Sequence, residues 1–550
     1  ADQHGLLGFI DALDGLHDSN RIKTVICRQE GGAAMMAEAW GKVTGEPGVC
    51  MVTRGPGATN ASAGIHISEH DSVPMILFVG QIERGMRERG AFQEMNYKAF
   101  FGSTAKWVVE IEDAARIPET ISRAYHVAMQ GRPGPVVISL PEDMLLDHAE
   151  VAIPQRIEPV ETWPGQTQMA ELQKMLWAAK SPIAILGGGG WSEKAVASLV
   201  RFSERFHLPV ATSFRRASLF PADHPHYAGE IGIGPNPKLK DRIASSDLVL
   251  LIGGRMAEMP SQSYTLFDIP KPQMPFVHVH ADAAELGRVY DPTLGINATP
   301  NAFAAALESL QPPQEIAWAG SAQKAREEFE AWTSKPASNA NALDMADVML
   351  WLRDRLPKDA IVTNGAGNYA IWVARFLRYR TFGAQLAPIS GSMGYGVPAA
   401  IGAKRLRPDQ MVIAFAGDGC FMMHGQEFAT AVQHDLPVIV VVVDNGMYGT
   451  IRMHQERDHP GRTHATALTN PDFAAMAKSY GAHGETVTKT AEFAPAFERA
   501  RASGKLAATT SRKLVTVRWP RGTPSKPEKT RSTSRGALAN PAISAQWPRT

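Results

Sequence analysis

Residues Ala414–Arg452 read AFAGDGCFMMHGQEFATAVQHDLPVIVVVVDNGMYGTIR, and this stretch decides the fold. A short apolar run, Met411–Ala416, meets the turn Gly417-Asp418-Gly419. A helical pattern follows from about Gln426 to Gln433. Leu436–Val443 is then an almost unbroken β-branched run, which suits a parallel strand buried on both faces. Asp444, Asn445 and Gly446 open a loop. Strand, turn, helix and strand in a parallel sheet put Asp418 and Asn445 at one sheet edge, where open α/β sheets bind ligands. An Asp carboxylate and an Asn carbonyl are oxygen ligands suited to Mg²⁺ carrying a diphosphate. Glycines at the turn let backbone N–H groups approach phosphate oxygens. An ordinary βαβ unit could contain Gly-Asp-Gly by itself; the spacing, the element order and the terminal Asn make the pattern specific.

The 550 residues correspond to three domains at roughly 100–200 residues each. A net charge of +1 gives no global field for nucleic acid or an anionic membrane. Cys27, Cys50 and Cys420 have neither disulfide-framework nor zinc-site spacing, so a reducing, cytoplasmic location is expected. No apolar run reaches the length of a membrane-spanning helix and no signal peptide opens the chain. The expected class is α/β, built as three Rossmann-like, doubly wound parallel-sheet domains over 1–160, 165–335 and 340–505.

In the first domain, Thr24–Cys27, Gly48–Thr53, Pro74–Val79 and Pro135–Ser139 read as strands. The first two end at the loops Arg28–Ala34 and Arg54–Asn60. With the Gly-Asp-Gly…Asn stretch, these loops resemble thiamine diphosphate-dependent enzymes of the acetolactate synthase branch. In that family RHEQGAxxMAEGYxxxTGxxGV precedes TxGPGATN; this chain reads CRQEGGAAMMAEAWGKVTGEPGVCMVTRGPGATN over Cys27–Asn60. By this resemblance Glu30 is the cofactor-activating carboxyl, hydrogen-bonding the aminopyrimidine N1′, a role that needs a largely buried site. Pro56 and Asn60 border the same cofactor. Gly90–Glu94 matches the family's AFQE segment, which implies that Gln93 faces the reactive side of the cofactor and Phe92 lines the substrate pocket. Lys106-Trp107 matches a following Lys-Trp and puts Lys106 beside that pocket. The strand and loop with which relatives open, ahead of the Leu6–Leu16 helix, have no counterpart in the quoted chain.

After a Pro-containing linker, Ile183–Leu186, Leu208–Thr212, Leu248–Ile252 and Phe276–His280 outline the middle domain. Relatives bind a non-redox FAD here. Gly253-Gly254-Arg255 and Asp282 have counterparts, but Arg255–Met259 replaces the family's Arg-Phe-Asp-Asp-Arg, so FAD binding and an empty scaffold both stay open.

The third domain starts with the strand Ile361–Thr363. Gly391–Ala403, GSMGYGVPAAIGA, matches the family's GxMGYGxPAAIGA, which makes Gly391 a cofactor neighbour and Met393 the wedge that bends the cofactor. In the metal loop the resemblance implies Gly417, Asp418, Gly419, Asn445, the Met447 carbonyl and Tyr448 around the diphosphate, with Asp418, Asn445 and Met447 on Mg²⁺. His454 stands where acetolactate synthases carry a Trp that shapes the acceptor pocket. Leu506–Thr550 is basic, lacks a sustained period and is expected to be a disordered ending outside the family pattern, such as a shifted reading frame would give. The implied function is a thiamine diphosphate- and Mg²⁺-dependent lyase or carboligase that decarboxylates a 2-oxo acid such as pyruvate and adds the product to an acceptor carbonyl. Its alternatives are a decarboxylase or diketone C–C hydrolase of the same fold, and an inactive scaffold. The implied assembly is a homodimer or homotetramer, with Glu30 of one subunit serving the cofactor held by Asp418 of another.

Overall fold

A computed structural model describes residue 22, residues 24–334 and 343–503, and the backbone of Lys513–Arg518. Within these residues the strands form three sheets whose ladders are all parallel. The first contains β1 (Gly48–Val52), β2 (Met75–Gln81), β3 (Trp107–Glu110) and β4 (Pro135–Pro141), in the order β1-β2-β4-β3. The second contains β5 (Pro182–Leu186), β6 (Val210–Ser213), β7 (Tyr227–Ile231), β8 (Leu248–Ile252), β9 (Phe276–His280) and β10 (Leu294–Asn297), ordered β10-β9-β8-β5-β6-β7. The third contains β11 (Ile361–Asn364), β12 (Gln385–Leu386), β13 (Val412–Gly417), β14 (Ile439–Asp444), β15 (His483–Val487) and β16 (Lys513–Arg518), ordered β12-β11-β13-β14-β16-β15.

The central strands are as apolar as their surroundings demand. Every residue of β5, β8, β9 and β14 is buried, as helices on both faces of a parallel sheet require. The helix Glu30–Thr44 connects the first and third sheets. It packs on helix Pro56–Asp71 and on helix Gly396–Leu406. Small residues permit this approach: a Cβ on Gly64 would lie 2.4 Å from the Ala34 Cβ, and one on Gly402 would lie 2.8 Å from the Met36 carbonyl oxygen.

Two expectations are corrected. Thr24–Cys27 forms no strand among the described residues. Its backbone faces the third domain, where the Ile26 N–H donates to His434 Nε2 at 3.1 Å, and the N–H groups of Arg28 and Gln29 that follow donate to Glu427. Lys513–Arg518, expected to be disordered, forms β16, and its backbone pairs with β14 on one side and β15 on the other. The slot between two strands supplies ladder partners that no local periodicity of the sequence announces. The rest of the expected tail, like Leu6–Leu16, lies outside the described residues.

Candidate cofactor site

The third sheet brings its polar loops to one edge because β13 and β14 run parallel, with Gly417 beside Val443. Asp418 starts the helix Asp418–His424 and is 3% exposed. Its Oδ1 accepts the Gly419 N–H at 2.9 Å and its Oδ2 accepts the Gly446 N–H at 2.8 Å. Asp444, the last residue of β14, is equally buried. Burial raises the Asp418 carboxyl above its ordinary range and the Asp444 charge adds to this, while hydrogen bonds from Asn470, Gly419 and Gly446 pull it down. A cation at this edge would relieve both effects. Asn445 is partly buried, and its Oδ1 accepts the Met447 N–H at 3.2 Å.

The metal loop is stitched to a later strap. Met447 and Ala467 form an antiparallel bridge; Tyr448 N–H donates to the Thr466 carbonyl and Leu468 N–H to the Gly446 carbonyl, both at 2.8 Å. Tyr448 lies over the turn: a Cβ on Gly419 would sit 2.7 Å from its Cε1, so a larger residue there would push the ring aside. The loop carrying Gly391 and Met393 comes to the same place. Gly394 N–H meets Cys420 Sγ at 3.1 Å, and Met393 packs, half-buried, against the sheet's core.

The second cluster stands on the first sheet. Glu30 opens its helix, and its Oε2 accepts the Asn60 Nδ2 hydrogen bond at 3.0 Å. Gly55 has φ 59° and ψ −106°, a conformation left to glycine, and a Cβ there would lie 3.0 Å from Gln93. A Cβ on Gly57 would come within 3.6 Å of Glu30 Oε1. Glu30, Pro56, Asn60 and Gln93 are therefore one cluster. Gln93 itself has φ 65°, a strained value for a side-chain-bearing residue. Phe92 beside it is 75% exposed among the described residues.

Lys106 is not brought to this cluster, which corrects the expectation. It precedes β3, at the sheet edge opposite the one where β1 and β2 deliver Gly55 and Gln93. Its Nζ donates to the Gln130 carbonyl at 2.6 Å from an exposed side chain. His454 lies exposed on helix Gly449–Asp458, which buries none of its residues. Among the described residues nothing covers His454, so a pocket wall there stays an expectation.

Three side chains join the site unannounced. Asn470 Nδ2 lies between the two carboxylates, 2.7 Å from Asp418 Oδ2 and 2.8 Å from Asp444 Oδ1. Glu427, fully buried, accepts the Arg28 and Gln29 N–H groups at 3.1 and 2.8 Å. His424 Nε2 meets Gln29 Oε1 at 3.1 Å. Glu427 and His424 thus hold the turn that presents Glu30. Their signal was available only as a Glu and a His on the helices after Gly-Asp-Gly; Asn470 had none. Among the described residues no group of three or more His, Cys, Asp or Glu could hold a metal alone. The donor set of one carboxylate, one amide oxygen and one carbonyl instead suits a hard cation that brings ligand oxygens with it.

Comparison with known proteins agrees with this architecture. Residues 6–100, 169–307 and 365–509 match, in order, the N-terminal TPP binding domain, the central domain and the C-terminal TPP binding domain of thiamine pyrophosphate enzymes. The chain is 30% identical over 480 residues to the acetolactate synthase isozyme 2 large subunit of Escherichia coli K12, covering 86% of each chain. It is 31% identical over 506 residues to the acetolactate synthase large subunit of Corynebacterium glutamicum, covering 89% of this chain and 80% of that one. A probable acetolactate synthase large subunit of Methanocaldococcus jannaschii is 30% identical over 493 residues, covering 86% and 82%.

Proposed function

The chain belongs to the thiamine pyrophosphate enzyme family, and on that premise we propose that it is a thiamine diphosphate- and Mg²⁺-dependent, acetolactate synthase-like enzyme. Its substrate is a 2-oxo acid such as pyruvate, which it decarboxylates before joining the remaining fragment to an acceptor carbonyl. The observation that carries this reading is the edge where buried Asp418, Asn445 and the Met447 loop converge. When bound, thiamine diphosphate supplies the electron sink for decarboxylation. Asp418 and Asn445, with the Met447 carbonyl, would hold Mg²⁺ and through it the diphosphate. Met393 would support the ring system from below, and Glu30 would hold a proton at the pyrimidine N1′ through its carboxyl.

Two halves open to the surface favour an assembly. Phe92, Met422, Met423, Ile451 and Met453 are each at least 39% exposed, a large apolar area for one free chain. Glu30 is only half-buried, and a proton-sharing carboxyl needs more cover than Asn60 gives it. A homodimer in which each Glu30 serves its partner's cofactor satisfies both needs; a tetramer would pair such dimers. The free thiols Cys27, Cys50 and Cys420 accord with a cytoplasmic location, and no described helix is long and apolar enough to cross a membrane.

The reading omits FAD. The middle sheet reverses its strand order between β5 and β8, where a dinucleotide would lie. There a Cβ on Gly188 would meet the Gly253 carbonyl oxygen at 1.8 Å, and one on Gly189 would meet the Ser72 carbonyl oxygen of the first domain at 2.0 Å. Arg255 donates to the His70 carbonyl at 2.7 Å. The cavities left there measure about 10 Å³ between Ser72, Arg132, Gly253 and His280 and about 50 Å³ beside Gly188–Trp191, room for a few waters. Purified protein without a 450 nm flavin band, and with no thermal response to added FAD, is the expected result.

A panel of 2-oxo acids with thiamine diphosphate and Mg²⁺, with product identification, tests the function. An acetohydroxy acid from pyruvate supports carboligation. Release of CO₂ with an aldehyde as product would move the assignment to the second reading, a decarboxylase, which His454 in place of the acceptor-shaping Trp favours. No thermal stabilisation by thiamine diphosphate with Mg²⁺ would contradict both.

A further inference from the structure

The loop that carries Met393 is held by charges buried far from the cofactor edge. Ala387–Tyr395 joins β12 to helix Gly396–Leu406, and its ends are fixed by three side chains of the first domain. Lys42 Nζ donates to the Ala387 carbonyl at 3.3 Å and to the Tyr395 hydroxyl at 3.4 Å. Asp71 Oδ1 accepts the Ile389 N–H at 2.7 Å. Glu38 Oε2 accepts the Tyr395 hydroxyl. Lys42 in turn pairs with Glu38 Oε1 at 3.0 Å and with Asp71. From the middle domain, Arg215 Nη1 donates to the Pro388 carbonyl at 3.1 Å, and Arg216 donates to the Asp71 carbonyl. Ala387, Pro388, Ile389 and Tyr395 are thus all anchored, which leaves Ser390–Gly394 as a short span between fixed ends.

This network is a poor device for stability alone. Glu38 and Asp71 are 0% exposed, the Lys42 side chain is 4% exposed, and Arg215 is 7% exposed. Removing such charges from water is expensive, and well-packed apolar residues would often stabilise as well. What the charges supply is direction: each ends on the same loop, and the loop presents Met393. Lys42 and Glu38 also lie on the helix that Glu30 opens, so one rigid element fixes both the activating carboxyl and the wedge.

We propose that Lys42, Glu38 and Asp71 are positioning residues for the Met393 loop, setting where the cofactor ring is supported without touching the cofactor. This rests on the functional reading above. Its test is the rate of hydrogen–deuterium exchange at the C2 position of bound thiamine diphosphate, measured by acid quench and proton NMR, together with cofactor affinity from tryptophan quenching. Tyr395→Phe removes one hydroxyl and keeps the ring packing; Asp71→Asn keeps an acceptor for the Ile389 N–H. In both variants the affinity for thiamine diphosphate with Mg²⁺ should stay near wild type, because the diphosphate edge is intact. C2 exchange should fall about tenfold or more, since small misplacements of reacting groups are costly. The double variant Lys42→Met/Asp71→Asn, which leaves fewer unpaired buried charges than Lys42→Met alone, should show the same split. A lower melting temperature with unchanged C2 exchange in Tyr395→Phe and Asp71→Asn would overturn the proposal and leave the network a structural one. A wild-type protein that bound no thiamine diphosphate with Mg²⁺ would overturn the functional reading, and the proposal with it.

Discussion

Glu30 and Asp418 do opposite things with a carboxyl. Asp418 is buried against backbone N–H groups and a second carboxylate, an arrangement made to accept a cation. Glu30 meets Asn60 at the end of its helix and is half-buried, which under the proposed reading leaves it a face with which to share a proton. Glu30→Gln should therefore bind thiamine diphosphate with Mg²⁺ normally in a calorimetric titration and lose turnover by about 10²-fold or more, the usual weight of a proton-transferring side chain. Equal activity would remove Glu30 from its role. A second residue-scale prediction concerns Glu230, whose carboxyl burial raises from 4.5 to about 7 against the opposing hydrogen bonds from Arg215 and Gln385. Between those two pH values the folded chain keeps a proton that the unfolded chain releases, so stability falls as pH rises through the window and levels off above it. Glu230→Gln should raise the unfolding free energy at pH 8, by about 3 kcal/mol, and leave it unchanged at pH 4.

At the scale of elements, the metal loop depends on its strap. Asn470 separates Asp418 from Asp444, and Thr466–Leu468 pairs with Gly446–Tyr448. Asn470→Ala leaves two buried carboxylates facing each other and should destabilise the cofactor-free protein by about 1–3 kcal/mol. Addition of thiamine diphosphate with Mg²⁺ should recover most of that in a thermal scan. A loss that the cofactor does not reduce would mean that the strap acts elsewhere. Strands β5, β8, β13 and β14 were legible because residues buried on both faces must be apolar over almost their whole length, and β9 because its Phe and Val residues set off the same run despite His278 and His280. The loops at their ends were legible because Asp418, Asn445, Glu30 and the Gly55–Asn60 turn each sit in a contiguous motif. Asn470, Glu427 and His424 were not, since their partners lie far along the chain and no spacing rule links them. Lys106 was misplaced because a motif match carries no information about which end of a strand it occupies. Thr24–Cys27 and Lys513–Arg518 were misread for one reason: strand formation there depends on which neighbour is present, not on the segment's own pattern.

At the scale of the molecule, three parallel sheets are tied together by buried polar contacts at the helix Glu30–Thr44 and the loop Ala387–Tyr395. Under the proposed reading each chain presents one activating half and one diphosphate-binding half, and both leave apolar side chains exposed. The proposed dimer closes each half with the other half of its partner. Co-expression of a Glu30→Gln chain with an Asp418→Ala chain, followed by isolation of the mixed dimer through two different tags, measures this directly. Each variant alone should be inactive. In the mixed dimer one of the two symmetric sites combines an intact Glu30 with an intact Asp418, so about half the wild-type turnover per dimer should return. A mixed dimer as inactive as its parents would contradict the account and place both halves of the site within one chain.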